Sequence, residues 1–313
     1  MSRRKSTKSR GSRRSIAESF QEYGRGLAGG LMFSLPLLYT MEVWWAGFNA
    51  HPWRLAAYVA ATFVLLLGYN RFAGLRHDAG MTEVAIDSVE EMGIGFIISA
   101  VALYLLGRVT PEMPLSEIAG KIVIEAMTVA IGVSVGTAQL GGSEDSGEGG
   151  VGEGEGAGGG ARRAKRDGRA GSAGGVGRGE PELHFGGQML LALCGATLFA
   201  ANVAPTEEIV VIAVEISSVR LLGLAFASLL LGALILNYSG FRGAREFVRA
   251  DGFGAVVAGS VATYAVALVA SALILWFFGR FDGVSLYTSL AQVIVLGVAA
   301  TLGASAGRLL LQR

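Results

Sequence analysis

The chain has 313 residues, of which 52% are hydrophobic and only 16% are charged, and its formal net charge is +1. With a mean hydropathy of +0.50, this composition indicates a membrane protein. A single cysteine, Cys194, excludes a framework of intramolecular disulfides, and together with only three histidines it argues against a zinc site.

Eight apolar segments are long enough, or nearly so, to cross a hydrocarbon core of about 30 Å as helices. In chain order they cover approximately residues 27–49, 54–70, 91–108, 115–139, 186–214, 220–238, 252–278 and 286–311. The segment at 186–214 is long enough to require a tilt or a break. The sequence therefore predicts an all-α polytopic membrane protein of about eight transmembrane helices.

The second half of the chain repeats features of the first half. A series of five residues recurs without a gap: Gly29, Phe33, Thr40, Glu42 and Arg54 return as Gly195, Phe199, Thr206, Glu208 and Arg220. Further along, Gly107 and Arg108 return as Gly279 and Arg280. Internal similarity of this kind, continued across short insertions, predicts two copies of one structural unit, here two repeats of four helices.

Positive charge predicts how the repeats lie in the membrane. Most of the 26 Lys and Arg residues fall in the N-terminal tail, the central linker and the loops on one side. These regions are expected in the cytoplasm, with both termini. Since each repeat has an even number of spans, the repeats are expected to be parallel. The predicted organisation is a basic tail at 1–25, repeat 1 at 26–140, a disordered Gly-rich linker at 141–183, and repeat 2 at 184–313.

Acidic residues interrupt the first span of each repeat. Glu42 lies within the first span, and Glu208, with Glu207 beside it, lies at the equivalent place in the fifth. A proline precedes each site, Pro36 or Pro205, and leaves a backbone carbonyl without its helical donor. Transporters build ion sites from carboxylates and carbonyls at such loosened helices. Glu42, Glu207 and Glu208 are therefore candidate ligands for a small cation or a proton.

A structural interpretation of the same residues stays open. Arg54 and Arg220 recur at the same separation from Glu42 and Glu208. Each glutamate could pair with its arginine and fix the spans near the interface. In a transporter, the same arginines would tune or gate the carboxylates.

The fourth span carries a charged stripe. Glu117, Lys121 and Glu125 follow one another at intervals of four, which places them on one helical face. The second repeat has Thr288, Gln292 and Leu296 there, so only the first copy is charged. One interpretation is a proton or cation path lined by Glu125 with Lys121, and the other is an internally paired stripe.

Two further patterns are interpreted structurally. Residues 76–90 have apolar positions at helical spacing, which predicts a short helix on the cytoplasmic surface. Its carboxylates either attract cations to a pore mouth or form a solvated face, and they are Glu83, Asp87, Glu90 and Glu91. The stretches 132–136 and 303–307 match the pattern G-x-S-x-G of serine hydrolases, but no histidine is placed as a base. Glycines four apart in apolar helices indicate close helix packing instead, and they are Gly132, Gly136, Gly303 and Gly307. We therefore expect no catalytic residue, enzyme activity, metal or cofactor.

Two blocks of the sequence resemble a known family. GLMFSLPLLYTMEVWW and AANVAPTEEI are similar to segments of an uncharacterised bacterial family of integral membrane proteins whose function is unknown. The resemblance implies a multi-pass protein of the bacterial cytoplasmic (inner) membrane, and it implies no activity or site.

Two functions of different classes follow from the sequence. The first is passage or coupled transport of a small cation or a proton between the repeats. The second is a non-transporting membrane scaffold or sensor. The expected surroundings are the lipid bilayer, with no nucleic acid, and the sequence leaves a homo-oligomer open.

Overall fold

The computed structural model describes residues 16–73, 80–139, 185–238 and 242–310. These residues form α-helices and no strand, so the all-α prediction is confirmed. The first half contains α1 (Ile16–Leu38), α2 (Met41–Asn49), α3 (Pro52–Ala73), α4 (Met81–Leu105) and α5 (Leu115–Gln139). The second half contains α6 (Phe185–Val203), α7 (Glu207–Glu215), α8 (Ser218–Tyr238), α9 (Arg242–Phe277) and α10 (Leu286–Leu310). The predicted disordered linker and most of the basic tail lie outside the described residues.

Seven helices of the described chain are long and apolar enough to cross a membrane, against the eight spans predicted. They are α3, α4, α5, α6, α8, α9 and α10. The difference arises at the first predicted span, 27–49, which is divided between α1 and α2. The predicted span 186–214 is divided in the same way between α6 and α7.

A threonine marks each of these breaks. Thr40 precedes α2 and Thr206 precedes α7, and both have extended backbone angles. The Thr40 hydroxyl donates to the carbonyl of Pro36 at 2.6 Å, and the Thr206 hydroxyl donates to the carbonyl of Val203 at 2.9 Å. The Thr40 hydroxyl thus satisfies a carbonyl at a helix C-terminus. The Val203 carbonyl accepts a second hydrogen bond from the Thr206 N–H, at 3.1 Å. Pro205 contributes by lacking an N–H and by disfavouring helix at the residue before it.

Close glycine contacts hold the first and last helices of each half together. A Cβ on Gly29 of α1 would lie 2.5 Å from the Cα of Gly136 on α5 and 2.6 Å from the carbonyl oxygen of Gly132. Gly195 of α6 is equally close to Gly303 and Gly307 of α10. Small residues let backbones approach in this way, which increases van der Waals contact between helices. Each half thus brings its first and last helices together through glycines, and the arrangement as two parallel repeats stays a prediction.

The two halves meet along α3, α6 and α9. Tyr58 of α3 stacks on Phe277 of α9, with ring centroids 4.2 Å apart, and Trp53 contacts Trp276 at 5.4 Å. We call this junction the seam. At one end of the molecule lie α2, α7 and the loops 106–114 and 278–285, and we call it the α2–α7 end.

Candidate functional site

The predicted glutamates lie in the first turns of the two short helices. Glu42 is half-buried in α2, whereas Glu207 and Glu208 are exposed in α7. A helix N-terminus carries partial positive charge, which favours carboxylates at these positions. The break before each glutamate therefore places it at the α2–α7 end of the molecule.

Arg280 of the second half lies near carboxylates of both halves at this end. Its guanidinium donates a hydrogen bond to the carbonyl of Pro205 at the α6–α7 break. Burial lowers the pKa of Arg280, and the carboxylates of Glu207 and Glu42 act in the opposite direction. One arginine thus lies in the field of a glutamate from each half. In the sequence, Arg280 was marked by the recurring Gly-Arg pair.

The recurring Gly-Arg pairs end two long helices. Gly107 and Gly279 have positive φ angles of 65° and 71°. The N–H groups of Arg108 and Arg280 then reach back to carbonyls five residues earlier, at 2.8 and 2.9 Å. This is the Schellman ending, in which the left-handed residue is usually glycine. This ending determines where the chain leaves each helix and therefore where each arginine lies.

Arg54 does not pair with Glu42. Its guanidinium forms an ion pair with Asp282 at 3.0 Å, across the seam. Arg220 is exposed, and the described residues give it no ion pair with Glu208. The alternative in which each glutamate pairs with its own arginine therefore does not hold for Arg54. The pairing crosses between halves instead, which the spacing along one repeat could not reveal.

The α5 stripe combines one paired charge with one unpaired group. The Lys121 ammonium donates to Glu117 at 2.6 Å and to the carbonyl of Arg108 at 3.2 Å. Glu125, one turn further, is 0% exposed, and neither of its carboxylate oxygens has a hydrogen-bond partner among the described residues. Gln292 takes the place of Lys121 in the second half and donates to the carbonyl of Arg280 at 3.3 Å.

The Glu125 side chain lies among apolar side chains. Its neighbours in the chain, Ile124 and Met127, belong to a buried cluster that also contains Leu37, Val43 and Tyr58. The Tyr58 hydroxyl is close enough to interact electrostatically with Glu125. These apolar side chains cannot offset the loss of hydration that an ionised Glu125 carboxylate suffers on burial.

A second buried carboxylate belongs to a polar cluster that the sequence did not predict. Asn70 of α3 donates to the Glu91 carboxylate at 2.7 Å and to the Ser88 hydroxyl at 3.1 Å. Ser134 of α5 donates to the Asn70 carbonyl oxygen at 2.9 Å. We call these four residues the Asn70 cluster. The only signal for it was a polar residue, Asn70, at the end of an apolar run.

The prediction of a separate surface helix at 76–90 is wrong. From Met81 onward this segment is the beginning of α4, which continues to Leu105. Val84, Ser88, Glu91 and Gly95 recur at helical spacing and are all buried. The polar residues at this spacing form an inward face, so Glu91 lies inside the protein and not on a solvated face.

Ser134 lies between two of the predicted packing glycines. Gly132 and Gly136 contact α1, and the Ser134 hydroxyl is used as a donor to Asn70. In the second half Ser305 is buried between Gly303 and Gly307.

No group of three or more His, Cys, Asp or Glu residues suited to a metal ion occurs in the part of the chain that the structure describes.

Two cavities lie at the seam. One of about 220 Å³ has polar walls that include Asn49, Arg54 and Asp282. The other, of about 440 Å³, has almost entirely apolar walls from α3, α6 and α9. Neither Glu42 nor Glu208 lines either cavity.

The chain was compared with known proteins. Residues 22–311 match a family described as "Putative integral membrane protein (DUF2391)". The match covers nearly the whole chain and confirms the family resemblance expected from the two sequence blocks. Searches among curated proteins and solved structures gave no match.

Proposed function

We propose, since the chain belongs to this family of integral membrane proteins, that it moves protons across the membrane through α3, α4 and α5. The observation that carries the proposal is Glu125, a fully buried carboxyl group without a hydrogen-bond partner among the described residues. The route lies inside the first half, and not at Glu42 and Glu208.

The cost of burial supports a functional role for Glu125. An ionised side chain near the centre of a bilayer costs about 2.5–3.5 kcal/mol on insertion scales, and such groups mark ion pathways or proton relays. Lys121 lies one turn away, but its ammonium donates to Glu117. Glu125 is thus left without the pairing that explains most buried charges.

The Asn70 cluster supplies a second buried carboxyl group at another depth of the same helices. Ser134 lies nine residues from Glu125 on α5, about 13 Å along the helix axis and on the opposite face of the helix. The cluster contains the buried carboxylate of Glu91 and exchangeable protons on Asn70, Ser88 and Ser134. Two carboxyl groups at different depths of one bundle are suited to successive proton transfers.

The site itself favours a proton over a metal cation. The cationic groups at the α2–α7 end are already compensated, since Arg54 pairs with Asp282 and Lys121 with Glu117. Glu125 offers one carboxyl group, which can carry a proton but cannot by itself supply the six or more oxygen ligands of a hard cation. A proton can pass by exchange along hydrogen bonds and needs no cage of ligands. We place both termini in the cytoplasm because of the distribution of Lys and Arg. The bacterial cytoplasmic membrane follows from the resemblance of the two sequence blocks to a bacterial family.

Ion flux into proteoliposomes tests the proposal. Equal gradients of protons, sodium or potassium are imposed on liposomes that contain the wild type, Glu125→Gln or Glu208→Gln. We expect proton flux in the wild type and in Glu208→Gln, whose side chain is exposed. Glu125→Gln should fall to the level of empty liposomes while its folded yield stays normal. Equal proton flux in all three proteins would contradict the proposal.

A non-transporting scaffold or sensor is the second candidate function. The observation that favours it is Arg280 of the second half, which donates to Pro205 of its own half and interacts electrostatically with Glu42 of the first half. In this function Glu42 and Arg280 fix the halves to each other. The same experiment separates the two functions, because a scaffold gives no flux above empty liposomes for any of the three ions.

A further inference from the structure

The two cavities at the seam lie side by side. The apolar cavity of about 440 Å³ runs between α3, α6 and α9, with Ala57, Ala61, Leu193 and Ala270 among its walls. Its rim includes Val64 and Leu273, which are 61% and 57% exposed. All three helices are candidate membrane spans. This cavity therefore opens sideways, toward the region that lipid chains occupy.

The polar cavity of about 220 Å³ adjoins the apolar cavity on the side of the α2–α7 end. Phe277 lines both cavities. Trp276 lines the apolar cavity, and the Arg54 guanidinium, which lines the polar cavity, lies 5.9 Å from the centre of the Trp276 ring. Tryptophans are enriched at the boundary between hydrocarbon and headgroups. The change from apolar to polar walls thus coincides with the expected depth of a lipid headgroup.

The polar cavity carries one charge of each sign. Arg54 and Asp282 are 3.0 Å apart, with 22% and 66% of their side chains exposed. A guanidinium binds phosphate through directed hydrogen bonds, and a carboxylate binds an ammonium group. Charges of both signs match a headgroup that is itself a zwitterion, whereas an anionic headgroup would meet repulsion from Asp282.

We propose that the seam binds one phospholipid with a phosphoethanolamine headgroup, with an acyl chain in the apolar cavity, the phosphate on Arg54 and the ammonium on Asp282. The lipid comes from the leaflet at the α2–α7 end. A free phosphate would leave the apolar cavity unused, and a sterol would leave both charges unused. Since the site lies between the halves, the bound lipid fills the space between α3 and α9. The proposal is independent of proton transport.

Lipid binding to the purified protein tests this inference. The full chain is delipidated in detergent and titrated with dioleoyl phosphatidylethanolamine or dioleoyl phosphatidylglycerol, which differ only in the headgroup. Native mass spectrometry counts the bound lipids, and thermal unfolding reports the stabilisation. Ala61→Phe fills the apolar cavity, and Ala227→Phe, at an exposed position of α8 away from it, is the matched control.

We expect one phosphatidylethanolamine per protein in the wild type and in Ala227→Phe, bound about threefold more tightly than phosphatidylglycerol. Ala61→Phe should lose this lipid. Asp282→Asn, which removes the carboxylate charge of the polar cavity at nearly constant size and leaves the apolar cavity intact, should bind both lipids equally. Equal binding of both lipids by the wild type, or undiminished binding by Ala61→Phe, would overturn the inference.

Discussion

Asn70 connects three helices through its side chain. Its amide donates to Glu91 and Ser88 of α4, and its carbonyl oxygen accepts from Ser134 of α5. The contacts between these residues could not be predicted from the sequence, because hydrogen bonds between helices depend on how each helix is rotated about its axis. Glu125, by contrast, could be predicted from the sequence, since its spacing from Lys121 defines a helical face without any tertiary information.

Replacing Asn70 by Ala should destabilise the protein by about 2–3 kcal/mol. The change removes the two hydrogen bonds that the Asn70 amide donates and the one that its carbonyl oxygen accepts, and a buried polar group left unsatisfied costs about 1–3 kcal/mol. Thermal unfolding in detergent measures the loss. Asn49→Ala, at an exposed position of the same residue type, should change the free energy of unfolding by less than about 0.5 kcal/mol. Equal effects of the two substitutions would contradict the role of the cluster.

Replacing Glu125 by Leu should stabilise the protein by about 1–3 kcal/mol. Leu296 occupies the equivalent position of the second half and is fully buried there, so the site accepts leucine in that copy of the fold. The change removes the cost of a buried polar group that lacks a partner. Chemical or thermal unfolding measures the gain. A loss of stability similar to that of Asn70→Ala would mean that the Glu125 carboxyl group has a stabilising partner.

The helices α1 and α5 depend on glycine at their point of closest approach. The sequence predicted this packing from glycines four residues apart, and it predicted most of the spans from apolar runs. It did not predict that α1 and α2 are separate helices, because the run of apolar residues continues across the break. The threonine hydroxyls at Thr40 and Thr206 supply the alternative hydrogen bonds that end each helix there.

Replacing Gly29 by Ala should destabilise the protein by about 1–3 kcal/mol, the usual cost of overpacking. The added methyl group would lie 2.5 Å from the Cα of Gly136, and backbone cannot move aside without separating the helices. Gly93→Ala is the matched control, since nothing lies within 4 Å of its Cβ position on α4. The control should be neutral or slightly stabilising, as alanine favours helix over glycine. Unfolding temperatures of the two variants compare them directly.

The whole molecule consists of two similar halves joined at a seam. Recurring residues predicted two halves, whereas the seam brings together residues at positions that are not equivalent in the two halves. Arg54, Asp282, Trp276 and Phe277 meet there from distant parts of the chain. A repeat pattern reports what each half has in common, so it contains no information on how the halves contact each other.

The parallel arrangement of the halves predicts which loops share a side of the membrane. Cysteines introduced at the exposed positions Glu112 and Val284 should both react with a membrane-impermeant maleimide in intact cells. A cysteine at the exposed Thr82 should react only after the membrane is permeabilised. The native Cys194 is buried and gives a low background. Labelling of positions 112 and 284 from opposite sides would contradict the parallel arrangement.

Proton flux through reconstituted protein, compared among the wild type, Glu125→Gln and Glu125→Asp, tests the central claim most directly. Aspartate keeps a carboxyl group that can exchange a proton, whereas glutamine keeps the size and loses that group. We predict partial flux with Asp and none above empty liposomes with Gln, at equal amounts of folded protein. Flux at the wild-type rate in Glu125→Gln would show that protons do not pass through this carboxyl group.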